Sequence, residues 1–566
     1  MTGRASPGTA KLVAELGRAV GRVGGPADFE PRLERPRDPT HGDWSSNAAL
    51  VLAGRLGVDA RELAERIRTA FDAEAAGVTG VEVAGPGFLN FSLSDAAVWD
   101  CLPRILGNPS GYGRTEAEAV RRINVEFVSS NPTGPLHVAH GRGAALGDVI
   151  ASLLEWTGHE VTREFYVNDA GRQVDLLGAS VEARFQELQG NPAEIPPDGY
   201  HGEYLRELAR GVAEEEGADR LLGLSSAERA RLFARRCGEL LLAEQRRDLE
   251  ELGIHMQVWR RESELVAEGR MENLLERLRT AGLTYEEGGA VWLRTTRFGD
   301  EKDRVLVKRD GSYTYFTPDI AYHVEKWDRG FEHAIDVWGA DHHGHVARMQ
   351  AALEALGLPA GFLEVVILQL VTVLRGGEEV RMSKRAGEFV TLRELFEETG
   401  TDVARYFFLM RRAEVALNFD LDLALDVSER NPVYKVQYAH ARMCSVFRRG
   451  GIDPSAIPAD GQGTEELKEE AERRVARALA RFPEVVRSAA AARAPHQLCG
   501  YLEETAGRVN AWYHRGNLDP SLRVLAEGPA REGRLRLARA VQITLRNGLR
   551  VLGISAPERM EREEKA

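Results

Sequence analysis

Cysteine is scarce: the 566 residues hold four, Cys101, Cys237, Cys444 and Cys499, and no two form a CxxC pair. That spacing argues against a zinc ribbon or a disulfide framework and fits a reducing compartment. Long apolar runs are missing too, and nothing approaches the ~18 residues of a membrane span. The opening MTGRASPGTAKLVAEL has a helical pattern without an extended apolar segment, so it predicts no secretory signal. The expected setting is cytoplasmic, with no membrane partner. Net positive charge is also absent: 74 Lys and Arg stand against 87 Asp and Glu, a formal balance of −13. A protein that grips nucleic acid needs local positive charge, and the whole-chain balance does not advertise it. Composition alone does not point to RNA.

What is present is a soluble globular composition, 43% hydrophobic and 28% charged, in a chain long enough for about three to four domains. The stretch from Asn124 to Arg142, NVEFVSSNPTGPLHVAHGR, is the most informative. It reads as a strand, a turn on Asn131-Pro132 and Gly134-Pro135, and a helix opened by His137-Val138-Ala139-His140. A strand that breaks and re-emerges as a helix gathers free N–H groups and a positive dipole end, which makes an anion site. His137 and His140, three apart, share a helix face and suit phosphate oxygens. An ordinary βα unit with two polar surface histidines has the same local pattern.

Residues 1–108 read as a small α/β domain: helical patterns, then a strand pair, VEVAGPGFLNFSLS. Residues 109–400 alternate strand and helix, the pattern of a Rossmann-type parallel sheet, interrupted by polar helices over about 186–275. The sheet is expected to resume with AVWLRTTRFG, a hairpin turning at Asp310-Gly311, AIDVWGADHHGH and the apolar run FLEVVILQLVTVL. Glycine and histidine directly after a strand, as in WGADHHGH, lie where open α/β sheets bind ligands. Asp341, His342, His343 and His345 carry metal-ligand chemistry, but no further group at recognised spacing accompanies them. Next, Arg381-Met382-Ser383-Lys384-Arg385 puts three cations on a glycine-flanked loop, a clamp for a polyphosphate or an ordinary basic loop. Residues 401–566 have helical periodicity throughout and read as an all-α domain. There Arg473, Arg477 and Arg481 form a stripe, ordinarily a solvated face.

HVAH and RMSK are each weak signals, but their order, the split sheet between them and the helical domain beyond are specific together. The chain resembles the class I aminoacyl-tRNA synthetases, with HVAH as the HIGH motif and RMSK as the KMSK motif. VEFVSSNPTGPLHVAHGR, EFYVNDAG, DGYHGEY, SYTYFTPDIAYH, MSKRAGEFVTLREL and DVARYFFLMRRAEVALNFDLDLA narrow the likeness to the arginyl-tRNA synthetases. It runs from HGDWSSNAA and GPGFLNF to LGISAPERM, essentially the whole chain.

The resemblance implies a ligase that activates L-arginine with ATP and Mg²⁺ and transfers it to the terminal adenosine of tRNA(Arg), acting as a monomer without zinc. It implies catalytic roles for His137, His140 and Lys384. ATP contacts would come from His137, His140, Gly339, Asp341, Met382, Ser383 and Lys384. The arginine pocket would comprise Glu126, Ser129, Asn131, His140, Tyr315, Asp319 and His342. Physical logic agrees: a guanidinium is a planar fork of donors, matched by carboxylates and a tyrosine. Phe88 and Asn90 fall where the family reads the tRNA D-loop. The C-terminal domain, whose DALR motif is here Asp402-Val403-Ala404-Arg405, reads the anticodon, with Trp512 and Tyr513 as candidates for stacking on bases. Ala139 stands where the family commonly has glycine, and Arg381 replaces the first lysine of KMSK. A cysteinyl-type synthetase would need a cysteine-rich zinc site. A lone nucleotidyltransferase unit leaves the late MSK loop and the flanking domains unexplained. A non-enzymatic RNA-binding relative would have no need of the histidines, the lysine or the acidic pocket.

Overall fold

The computed structural model describes residues 9–36, 38, 41–380 and 390–560. The N-terminal unit packs helices Ala10–Arg22, Ala48–Leu56 and Ala60–Ala70 on an antiparallel sheet. Its strands are β1 (Trp44–Ser46), β2 (Val78–Ala84) and β3 (Phe88–Leu93), with β3 in the middle. Leu16, Ala49, Leu63, Ile67 and Phe91 fill its core.

The central sheet is wholly parallel. It contains β4 (Arg122–Glu126), β5 (Glu160–Val167), β6 (Val258–Arg261), β10 (His333–Gly339) and β11 (Leu363–Leu368) in the order β11-β10-β4-β5-β6. The chain starts in the middle, builds outward through β5 and β6, then returns to the other side of β4. The winding therefore reverses between β4 and β10, the place where open α/β sheets bind ligands. Helix Val138–Trp156 is buried on every side, apolar nearly throughout, as a helix inside a layered core must be. Its Gly147 lets it lie on the end of β4: a Cβ there would fall 2.2 Å from the Phe127 ring.

Two buried arginines tie this helix to the rest of the molecule. Arg142 donates to the carbonyls of Gln369, Arg412 and Val415 at 2.8–2.9 Å. Arg405 bonds Asp148 and the carbonyls of Leu252 and Leu552, joining this central helix, the inserted helices and the last C-terminal helix. Burial alone would raise the Asp148 pKa, but Arg405 and Arg163 hold it below the usual carboxylate range.

Four expectations need correction. The helical excursion expected over about 186–275 already begins with helix Arg172–Leu188, and it contains a sheet strand, β6. β6 reads Val-Trp-Arg-Arg, an edge strand whose arginines hide any apolar signal. AVWLRTTRFG does not resume the parallel sheet. It contributes to a separate antiparallel sheet of β7 (Thr284–Glu287), β8 (Ala290–Leu293) and β9 (Arg304–Val307). The apolar run FLEVVILQLVTVL is split between β11 and β12 (Val371–Arg375), which pairs instead with β13 (Glu378–Glu379) and β14 (Leu417–Asp420). β14 lies within the stretch expected to be all-α. It forms because Leu417 and Phe419 alternate inward while Asn418 and Asp420 face solvent. Beyond it, helices Pro432–Gly450, Glu470–Ala480, Phe482–Ala492, His496–Leu518 and Arg531–Val551 form a bundle.

The arginine stripe on Glu470–Ala480 is not a solvated face. Arg473 pairs with Asp95 and Arg477 with Asp43, both at 2.9 Å, so the stripe docks the helical bundle against the N-terminal part of the chain.

Candidate active site

The chain leaves β4 through Val128 (φ 70°) and Ser129 (φ 40°), two non-glycine residues in the left-handed region. Each costs on the order of 1–3 kcal/mol, so the surroundings must hold them there. Glu126 does: its carboxylate accepts from Ser129 Oγ at 2.7 Å, and Ser129 Oγ accepts from the Tyr166 amide at 3.1 Å. Beneath lies a buried ionic cluster. Lys326 Nζ sits 2.5 Å from Glu126 and 2.9 Å from Asp336, and His323 Nε2 is 2.7 Å from Asp336. Burial opposes the Lys326 charge, but Asp336 and Glu126 outweigh it and raise its pKa. Burial pushes Asp336 up, yet Lys326 and His323 bring it down to about 2. Burial raises Glu126, with Lys326 drawing it part of the way back. Glu126 and Ser129, expected in the arginine pocket, are held together at the end of β4 and shape this turn.

The turn Asn131–Pro135 leads to His137, which caps the helix beginning at Val138. The two imidazoles stack with centroids 3.7 Å apart, and His140 Nδ1 accepts the His137 amide at 3.3 Å. Burial lowers the pKa of His137; burial and then His137 bring His140 down to about 3. Both rings are therefore neutral at pH 7. With Nδ1 accepting, the His140 proton resides on Nε2, a donor at a helix N-terminus.

Arg381, Met382, Ser383 and Lys384 lie outside the described residues. Directly after that segment, the Val390 carbonyl accepts the Val138 amide at 3.3 Å, and Leu392 donates to Leu136 at 2.8 Å. The chain from Val390 to Leu392 thus runs beside Leu136 and Val138, on either side of His137.

Across the switch point, Tyr315 precedes helix Phe316–Asp328 and is 66% exposed, its hydroxyl accepting from Arg348 at 2.9 Å. Asp319, one turn in, meets His345 Nε2 at 3.2 Å. His345, weighed from sequence only as a metal ligand, packs against Tyr315, Phe316 and Trp338. His342, the expected pocket residue, instead points outward beside Asp341, 3.4 Å away. His342 is the cap residue that precedes the helix and stays exposed, whereas His345 lies within the helix on the buried face that Met349 and Ala352 continue. Gly339 ends β10, and Asp341 is exposed just beyond it.

Glu262 was missed from sequence. It directly follows β6, at the carboxyl end of a sheet strand, and that placement is the signal that could have found it. Tyr166 donates its hydroxyl to Glu262 at 3.1 Å. Burial raises Glu262 to about 7; the Tyr166 bond opposes this, and Asp319 and Asp169 add to it. Neighbouring carboxylates are matched by cations: Glu164 by Arg329, Glu325 by Arg260, Asp169 by Arg261. Among the described residues, neither Asp319 nor Glu262 has a lysine or arginine partner.

The expected tRNA contacts fare unequally. Phe88 is exposed at the start of β3, but Asn90 is buried in that central strand. Trp512 is 3% exposed and belongs to the bundle core, so its ring face is not offered to a base. Tyr513 is half-buried, with the Arg442 guanidinium 4.7 Å above its ring. Both border a cavity of about 570 Å³ that Arg449 and Arg523 also line.

Three family models match the chain in succession. "Arginyl tRNA synthetase N terminal domain" covers residues 10–93, "tRNA synthetases class I (R), catalytic domain" 102–414, and "DALR anticodon binding domain" 436–560. The catalytic match alone takes in more than half of the sequence. The chain belongs to the arginyl-tRNA synthetases. The arginine–tRNA ligase of Bacillus pumilus is 45% identical over 531 residues, 93% of this chain and 94% of its own. That of Halorhodospira halophila is 44% identical over 589 residues, 97% of this chain and 99% of its own. The Thermus thermophilus arginyl-tRNA synthetase structure shares the fold with a TM-score of 0.75 over 98% of this chain and all of its own, at 24% identity. Arginine–tRNA ligation is the activity of this synthetase family, and the chain is an enzyme of that class with ATP as a substrate. No helix among the described residues is long and apolar enough to cross a membrane.

Proposed function

We propose that Asp319 and Glu262 hold the guanidinium of arginine, while the turn Asn131–Pro135 and the His137–His140 helix start hold the phosphates of ATP. The carrying observation is the pair of carboxylates, Asp319 one turn beyond Tyr315 and Glu262 within the electrostatic reach of Asp319, neither with a lysine or arginine partner among the described residues. A guanidinium presents donors to both carboxylates at once and stacks on tyrosine; a lysine ammonium does neither as well. His345 fixes one oxygen of Asp319. Asn131, whose amide bonds Gln173, stands at the other end, toward the amino acid's α-amino and carboxylate groups.

An oxygen of the arginine carboxylate attacks the α-phosphorus, the bond to the β-phosphate oxygen breaks, and pyrophosphate leaves. No side-chain nucleophile is required; the work is positioning and stabilisation of growing charge. His140 Nε2–H and His137 donate to phosphate oxygens as neutral imidazoles, together with the helix dipole. Lys384 takes the charge on the departing pyrophosphate, and Met382, Ser383, Gly339 and Asp341 complete the nucleotide site. Mg²⁺ enters with the nucleotide, bound to its phosphates. The three-ligand cluster Glu126, His323 and Asp336 does not suit a resident ion, because the Lys326 ammonium bonds both of its carboxylates. In the second step a ribose hydroxyl of the terminal tRNA adenosine attacks the arginyl carbonyl and AMP departs. Phe88 and the cavity beside Tyr513, Arg449 and Arg523 contact the tRNA. The enzyme acts as a cytoplasmic monomer.

The test is amino-acid-dependent exchange of pyrophosphate into ATP, with and without cognate tRNA. Exchange with arginine but not lysine, lost in Asp319→Asn at low arginine and recovered at high arginine, is the expected outcome. Equal exchange in wild type and Asp319→Asn at all arginine concentrations would discard the pocket.

A further inference from the structure

The helical excursion between β5 and β6 has its own core, built on Leu177, Phe185, Leu205 and Phe233, and it also reaches the active site. Tyr204, from the DGYHGEY segment, donates its hydroxyl to the Thr133 carbonyl at 2.7 Å. Gln245, 1% exposed on helix Ser226–Glu251, donates its amide to the carbonyls of Asn131 and Gly134 at 3.1 and 3.0 Å. Three carbonyls of the turn ahead of His137 are therefore held from one side by two inserted helices.

A planar trans peptide points its C=O and the following N–H in opposite directions. The carbonyls of Asn131 and Gly134 precede Pro132 and Pro135, which carry no N–H. Thr133 spends its own N–H on the Asn131 carbonyl at 2.8 Å. That leaves Gly134, whose N–H lies across the peptide plane from the carbonyl bonded to Tyr204. It makes no hydrogen bond among the described residues. The Tyr204 ring lies close behind it: a Cβ at Gly134 would fall 3.5 Å from the hydroxyl.

We propose that Tyr204 is a positioning residue for the nucleotide: by anchoring the Thr133 carbonyl it aims the Gly134 N–H at a phosphate oxygen of ATP, beside His137. Gln245 keeps the two flanking peptides from rotating. The excursion thereby becomes part of the ATP site. This rests on the placement of the phosphates at the turn and helix start.

Tyr204→Phe keeps the ring and removes the hydroxyl. In pyrophosphate exchange with saturating tRNA, KM for ATP rises about 5- to 10-fold while KM for arginine stays within about twofold, as one lost orienting hydrogen bond predicts. The thermal midpoint stays at the wild-type value. An unchanged KM for ATP, or equal rises in both KM values, overturns the proposal. If Tyr204→Phe lowers the folded fraction, Gln245→Met reads the same ratio from the other contact: a selective rise in KM for ATP supports the proposal, and its absence overturns it. His140→Asn runs alongside. If it loses exchange while Tyr204→Phe matches wild type, the role of Tyr204 alone fails. If His140→Asn is also unaffected, the phosphate placement fails with it.

Discussion

Glu126 and Asp336 are register partners on the adjacent parallel strands β4 and β10, and the Lys326 ammonium bonds both carboxylates. Two buried carboxylates side by side would repel, so the sheet closes at its switch point only around this lysine. Lys326→Met leaves both charges uncompensated, and breaking a buried pair this way costs about 3–5 kcal/mol. Urea unfolding at neutral pH should show a loss of that size, and an unshifted midpoint would contradict it. Because Asp336 is held at about 2, its contribution is full above the ordinary carboxylate range. It is lost as the pH falls through that range toward 2.

The proposed guanidinium site of Asp319 and Glu262 predicts that arginine binding depends on pH. Glu262 titrates near 7, so it is neutral below that pH and anionic above it. KM for arginine should rise as the pH falls through 7, and Glu262→Gln should flatten that dependence while raising KM at high pH. Asp319→Asn, which removes a charged partner of the guanidinium, should raise KM for arginine about 10- to 100-fold, with KM for ATP unmoved. Parallel rises in both constants would point instead to general damage at the switch point.

The phosphate side of this site is legible in the sequence because its signals are local: Pro and Gly break a strand, and two histidines follow at helical spacing. The arginine side is legible only in part: family likeness points to Tyr315 and Asp319, whereas Glu262 lies at the opposite end of the long connection between β6 and β10, and nothing local ties it to them. The errors have one physical root. Alternation and periodicity report which face is buried, not what buries it. Trp512 looks like a base-stacking aromatic and is core; Arg473 and Arg477 look solvated and meet Asp95 and Asp43. β14 is too short to stand out among helices, and β6 is masked by its arginines. Lys326 drew no attention in the sequence, because nothing local reveals that two strands place carboxylates beside it.

The docking of Arg473 and Arg477 onto Asp95 and Asp43 should couple the first and last parts of the chain when tRNA binds. These pairs are partly exposed, each worth about 0.2–1 kcal/mol. Arg473→Ala with Arg477→Ala should therefore raise KM for tRNA in aminoacylation by about two- to tenfold, an effect that shrinks with added salt. KM for ATP and arginine should not change. A tRNA KM equal to wild type at low salt would show that this contact plays no part in tRNA binding.

The proposed role of the stacked histidines predicts a pH profile without a histidine limb. His140, brought down to about 3, and His137, also lowered, are neutral at pH 7, so in the proposed phosphate site they act as neutral donors. The pH profile of kcat/KM for ATP should then show no break near 6.5 that disappears in His140→Gln. If the imidazoles acted as cations, activity would decline as the pH rose through that value, and the variant would abolish the decline. Folding stability carries the complementary signature. The unfolded chain protonates these histidines from about 6.5 downward whereas the folded protein resists. Their contribution is therefore full above 6.5 and is lost as the pH falls toward the folded value. Replacing His140 with glutamine should make unfolding free energy less steep in pH between about 6.5 and 4, and an unaltered slope would mean that His140 is protonated in the folded enzyme.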